Sequence, residues 1–176
     1  GAVVRREAGG TDVTAPTALL TLAEARFMAR DYDGSLVWFE RLAATASDDG
    51  VAMALYARNL EDRRDNAAAE KFYAALLRAH PQGKGVAAWW LSRGRAVERL
   101  GNHHDAVSHY RAAIAADPAR MQASTSDVAL ATALMRGTHE PAVALAHLSE
   151  VRTHPRLTGL RLHFDVLIAE AHMLMG

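Results

Sequence analysis

Residues 88–118 read AWWLSRGRAVERLGNHHDAVSHYRAAIAADP. Apolar and small residues recur at three- and four-residue steps on both sides of Gly101-Asn102, and Asp117-Pro118 stops the second run. That is the spacing of two amphipathic helices joined by a tight turn. The same unit returns along the chain. Consecutive helix pairs end at Ser47, Pro81, Pro118 and Pro155, in steps of 34, 37 and 37 residues. A helix pair of this length cannot bury its apolar face alone, and stacking on the next pair completes the core.

Working outward, the helices follow from the punctuation. Leu19, Leu22, Ala23 and Phe27 share one face of a first helix that starts after Pro16. Asp31-Tyr32-Asp33-Gly34 interrupts it, with Asp33 as the expected N-cap of a second helix carrying Leu36, Phe39 and Leu42. Further helices are expected over Val51–Arg63, Asn66–Ala79, Val86–Leu100 and from the Gly101-Asn102 break to Asp117. Ser124 and Asp127 form a capping box for a helix reaching Arg136, and Pro141 suits the first turn of one that ends near Arg152. The last helix covers about Leu160 to Met175. Nine short helices without a β-rich run predict an all-α fold. Residues 1–14 read as a flexible lead-in, and residues 15–176 as one repeat domain. Its units are about 15–47, 48–81, 84–118 and 121–155, followed by a terminal helix over 157–176.

Aligned on this period, the units place small residues where helices cross closely. Ala23, Ala57, Gly94 and Ala131 do so in the first helices, and Ser35, Ala69 and Ala106 in the second, where the fourth unit has Val143 instead. Phe39, Tyr73, Tyr110 and His147 follow at a position where a ring packs into the next unit. In residues 88–118, Trp90, Gly94, Gly101, Ala106, Tyr110, Ala113 and Pro118 fall where the tetratricopeptide repeat family has Trp, Gly, Gly, Ala, an aromatic residue, Ala and Pro. The chain from about Pro16 to Gly176 resembles that family. The fourth unit departs from it, with Asp127 at a bulky core position and Glu150 where Ala or Leu is usual. In the terminal helix Ala169-Glu170-Ala171 echoes Ala23-Glu24-Ala25.

The resemblance implies a right-handed superhelical solenoid of about four helix pairs plus a terminal helix. Its first helices would line a concave groove that binds another protein or a peptide. Carried over residue by residue, one row of that groove is Leu20, Ala54, Leu91 and Val128, flanked by Thr17, Val51, Ala88 and Thr125. The other row is Glu24, Arg58, Arg95 and Thr132, bordered by Glu61, Glu98 and Arg99. Arg58 and Arg95 stand at equivalent points and can hold carboxylates of a bound segment. Alternatively each pairs with the Glu three residues on, Glu61 or Glu98. Ala54 and Leu91 occupy places where members that clamp a C-terminal carboxylate carry polar or cationic groups, which disfavours chaperone tails as ligands.

Composition narrows the function classes. The chain has 176 residues, half of them hydrophobic, and 20 Lys+Arg against 20 Asp+Glu. Roughly a fifth is alanine, well above ordinary usage. A balanced charge lacks the footprint of a nucleic-acid binder. With no cysteine, disulfides, thiolate metal sites and thiol nucleophiles are excluded, while the compartment stays open. No run reaches the ~18 apolar residues of a spanning helix, so direct membrane insertion of this segment is not expected. With Gly1 rather than Met first, the chain reads as an excised domain, whose upstream targeting segment, if it has one, would be missing.

Candidate chemistry is sparse. Of nine histidines, His103, His104 and His109 form one set and His139, His147 and His154 another, and neither has the spacing of a zinc helix. His103 and His104 read as solvated turn residues. Trp90 reads as core by the repeat pattern, and Trp89 as the better placed of the two for exposure, or as a residue packed on the preceding unit. Gly83-Lys84-Gly85 lacks the spacing of a phosphate loop, and the acid pairs Asp48-Asp49 and Glu61-Asp62 sit at helix ends. No catalytic site, cofactor or metal is expected. The leading expectation is therefore a scaffold or adaptor. Lysine appears only at Lys71 and Lys84 beside abundant arginine, a bacterial style that suits envelope assembly, secretion or polysaccharide export. The other readings are self-association through the apolar terminal helix (Leu160, Phe164, Leu167, Ile168 and Leu174) and a regulatory module of a larger enzyme.

Overall fold

The computed structural model describes residues 16–44, 60, 64–83, 85–117 and 123–176. Among them the chain is all helix and turn, with no strand. The lead-in, the Val51–Arg63 helix apart from Leu60, and Pro118 lie outside the described residues, as does the side chain of Leu36. Two compact units divide the chain, Gly1–Gly83 and Lys84–Gly176.

In the first unit α1 (Pro16–Met28), α2 (Tyr32–Ala44) and α3 (Asn66–Ala79) are described. Leu19, Ala23 and Phe27 turn inward from α1, as their spacing requires, and α2 packs on them. The crossing is close because both sides are small: the Ser35 hydroxyl donates to the Ala23 carbonyl at 2.7 Å, fully buried. Phe39 then meets Phe72 of α3 edge to face, with ring centroids 5.3 Å apart. Burying a side chain of that size contributes about 2–3 kcal/mol.

In the second unit α4 (Val86–Arg99) pairs with α5 (His103–Ala115), and α6 (Ala123–Thr132) with α7 (Pro141–Arg152). A 3₁₀ segment, Pro155–Leu160, leads into α8 (Arg161–Met175), which packs on α7. Gly94 and Tyr110 show why the quoted stretch needs a glycine. A Cβ at Gly94 would stand 2.5 Å from the Tyr110 ring, so the ring lies directly on the α4 backbone of its own pair. Tyr110 shares one buried cluster with Leu130, Ala131, Leu134, Leu148 and Phe164.

The turns inside the pairs repeat more faithfully than the side chains. Arg30, Arg64, Gly101 and His139 are all left-handed, with φ between 59° and 85°. They recur at steps of 34, 37 and 38 residues. After Gly101, the Asn102 N–H donates to the Val97 carbonyl, and the Gly101 N–H donates to that of Glu98. That pairing closes a helix C-terminus with a left-handed residue. The same long-range bond follows Arg30, where Asp31 N–H reaches the Arg26 carbonyl, and Arg64, where Asp65 N–H reaches that of Leu60. The next residue caps the following helix: Asp31 accepts from Gly34 N–H, Asp65 from Ala68 N–H and Asn102 from Asp105 N–H. The cap of α2 is therefore Asp31 and not Asp33, which lies in the first turn.

The last step is one residue longer because α6 ends in a π turn, Ala133–Gly137, closed by Thr138 N–H on the Ala133 carbonyl. A π turn inserts one residue into a helix. Downstream of it the fourth repeat is shifted by one from the expected alignment. Ala144, fully buried, takes the small-residue position, and Val143 is 42% exposed. Leu148 takes the ring position in place of His147. In the terminal helix the buried alanine is Ala171, whereas Ala169 is exposed, so the echo of α1 is offset by two residues.

Candidate functional site

The expected recognition rows fall on first helices, and each described member has a definite environment. On α1, Leu20 is half-buried and Glu24 exposed. Arg58, with Val51, Ala54, Ala57 and Glu61, lies outside the described residues. On α4, Leu91 is only 6% exposed and belongs to the core cluster, so it is a packing residue. Its apolar i, i+3, i+6 neighbours Gly94 and Val97 are buried too, which turns Leu91 inward. On α6, Val128 is half-buried against that cluster, and Thr132 is half-buried.

The charged row of α4 is arranged around Tyr110. Its hydroxyl donates to Glu98 Oε2 at 2.7 Å. Burial first, and the Glu98 carboxylate second, push the phenol well above its ordinary range and keep it a donor. Arg95 and Arg99 lie close enough to act on it in the opposite sense. Glu98 is thereby committed to α5, and among the described residues no carboxylate pairs with Arg95. Of the two readings of Arg95, the pair with Glu98 is not formed. Arg95 is half-buried and Arg99 exposed, so a cationic edge stands beside the Tyr110–Glu98 bond.

The tryptophans reverse their expected order. Trp89 is buried, whereas Trp90 is half-buried at the margin of the core. The Trp90 ring lies 5.2 Å from that of His109 and carries the Arg93 guanidinium 5.5 Å from its centroid. The backbone of Gly85 approaches the Trp89 ring so closely that a Cβ there would sit 2.5 Å from it.

One contact is not foreshadowed by the sequence pattern. Asp127 is fully buried, and His147 Nε2 lies 3.0 Å from its Oδ1. Asp127 is thus a core residue, and the capping box expected between it and Ser124 lies outside the described residues, because the Ser124 side chain does. The pair stands at the places of Trp90 and His109, 37 and 38 residues on. Two departures from the repeat pattern thus answer each other. Finding them required knowing that the π turn moves His147 onto the position of His109. His103 also differs from its expected solvated role, since its ring fills the space a Cβ on Gly137 would need, at 2.7 Å. His104 is exposed.

Among the described residues no three His, Asp or Glu side chains converge as metal ligands, and no helix is long and apolar enough to cross a membrane. What the second unit offers is a cationic edge beside the buried Tyr110–Glu98 bond, on helices joined by core packing. The sequence matches no protein-family model and no curated protein.

Proposed function

We propose that the chain is a protein-binding scaffold, not an enzyme, built as a tetratricopeptide-like stack whose first helices recognise an extended, acidic segment of a partner. The observation that carries this reading is the commitment of Glu98 to Tyr110. It leaves Arg95 beside an already satisfied hydrogen bond, with no described carboxylate of its own. A guanidinium fork in that state is suited to a ligand carboxylate. The supporting helices pack through buried side chains, so the surface is preformed and little ordering accompanies binding. Leu91 plays no part in this recognition; Val128 and Thr132 hold the equivalent positions on the next first helix. An adaptor role in a bacterial envelope or secretion assembly is consistent with this chemistry and forms part of the proposal.

The test is selection from a displayed peptide library, followed by calorimetric titration of the selected peptide. Selected sequences should share at least one Asp or Glu. Arg95→Glu should weaken binding by about tenfold or more, corresponding to about 1.4 kcal/mol. Equal affinity of wild type and the Arg95→Glu variant would remove this arginine from the site.

A further inference from the structure

We infer that α8 is a self-association helix, and that its occupant is a second copy of the same helix, running antiparallel about a two-fold axis. Phe164, Leu167 and Ala171 face the core, and the opposite side carries Leu162, Val166, Ala169 and Met173. Leu162 is 78%, Val166 60% and Met173 76% exposed. Scattered exposed hydrophobics are ordinary on a protein surface. Four in line at steps of four, three and four residues form the seam of a paired helix.

The order of the residues selects the partner. The seam is symmetric about the midpoint between Leu167 and Ile168. Turning a second copy end for end sets Leu162 against Met173 and Val166 against Ala169, large against flexible and medium against small. Flanking charges follow the same symmetry. In an antiparallel two-fold pair each flank faces its own counterpart. One flank holds Asp165 and His172, the other His163 and Glu170. Asp165 then lies beside His172 of the second copy, and Glu170 beside His163 of the second copy. Each pair is offset by two residues, or ~3 Å along the axis. Both carboxylates are already oriented within the chain. Arg152 holds Asp165 from α7, and Arg136 holds Glu170 from the π turn, with Nη2 2.7 Å from Oε1. An imidazole donor from the second copy completes each group. In a parallel pair each flank would face the opposite one, and a histidine would still stand beside each carboxylate. The seam, however, would set Leu162 against Leu162 and Met173 against Met173, so the side-chain fit along the seam selects the antiparallel order.

A seam of twelve residues is ~17 Å long, shorter than the patch of a standard interface of ~800 Å² per partner. Association in the micromolar range or weaker is therefore expected.

The chain lacks cysteine, so engineered thiols report the register without background. Sedimentation velocity from about 1 to about 500 μM should show a reversible monomer–dimer equilibrium. Val166→Glu, at a position outside the core, should weaken it at least about tenfold while circular dichroism and melting stay as in wild type. A mixture of Leu162→Cys and Met173→Cys chains should form the mixed disulfide under mild oxidation. Leu162→Cys alone should not crosslink, because its two sulfurs would lie ~16 Å apart along the axis. A monomer across the whole range, a dimer indifferent to Val166→Glu, or ready Leu162→Cys self-crosslinking would each overturn the inference.

Discussion

At the scale of single residues, two glycines do different jobs and should fail differently. Gly94 is needed for space: any Cβ there meets the Tyr110 ring, which is fully buried and tethered through Glu98. Gly94→Ala should destabilise by about 1–3 kcal/mol in chemical denaturation, the usual range for overpacking. Gly101 is needed for conformation. Its φ is 85°, and a Cβ at this position would meet nothing within 4 Å. Gly101→Ala should cost about 1–2 kcal/mol, the left-handed penalty alone. The buried pair Asp127–His147 supplies the sharper residue test. His147→Ala leaves a carboxylate in the core and should cost about 3 kcal/mol. Replacing both residues by Leu should recover most of that loss, because the equivalent position in the preceding pair is held by the ring of Trp90. A double variant no more stable than His147→Ala would show that the pair is not the unit of stability.

At the scale of elements, the helix starts are set by polar caps, and the cap of α2 is pH-sensitive. Asp31 is held below its ordinary carboxyl value of 3.8, chiefly by the Arg26 guanidinium, with the Gly34 N–H next. A lowered folded value means that the carboxylate stabilises the folded state above the ordinary value and loses that effect as pH falls through the folded one. Asp31→Asn should therefore lower the melting temperature at about pH 6 and approach wild type at about pH 2. A difference that persists in acid would assign the effect to the hydrogen bond to Gly34 and not to charge. The π turn is the other decisive element. Its extra residue leaves Gly94 and Ala131 in step with the expected period and moves Ala144 and Leu148 out of it.

At the scale of the whole molecule, the Lys84–Gly176 unit carries a contiguous core from Leu91 to Ala171. Expressed alone, it should melt cooperatively with a helical circular dichroism spectrum; a broad, non-cooperative loss of signal would show that its stability depends on the rest of the chain. Within each unit, the stacking of successive helices on their sequence neighbours is what nearest-neighbour repeat packing requires.

The positions of the described helices, a period of 34–37 residues, and the small residues Ala23, Ser35, Ala69, Gly94, Ala106 and Ala131 at close crossings were legible from the amino acids alone. They are local: spacing, caps and side-chain size act over a few residues. The roles of Asp127, His147, Leu91 and Trp89 were decided by tertiary structure. One inserted residue in a helix rotates everything after it by ~100° relative to what precedes it, and no composition or spacing rule states where that insertion falls. Which face of α8 is left uncovered was likewise settled only by packing, since Phe164 and Val166 are equally apolar in sequence and differ in which of them meets α7 and the core.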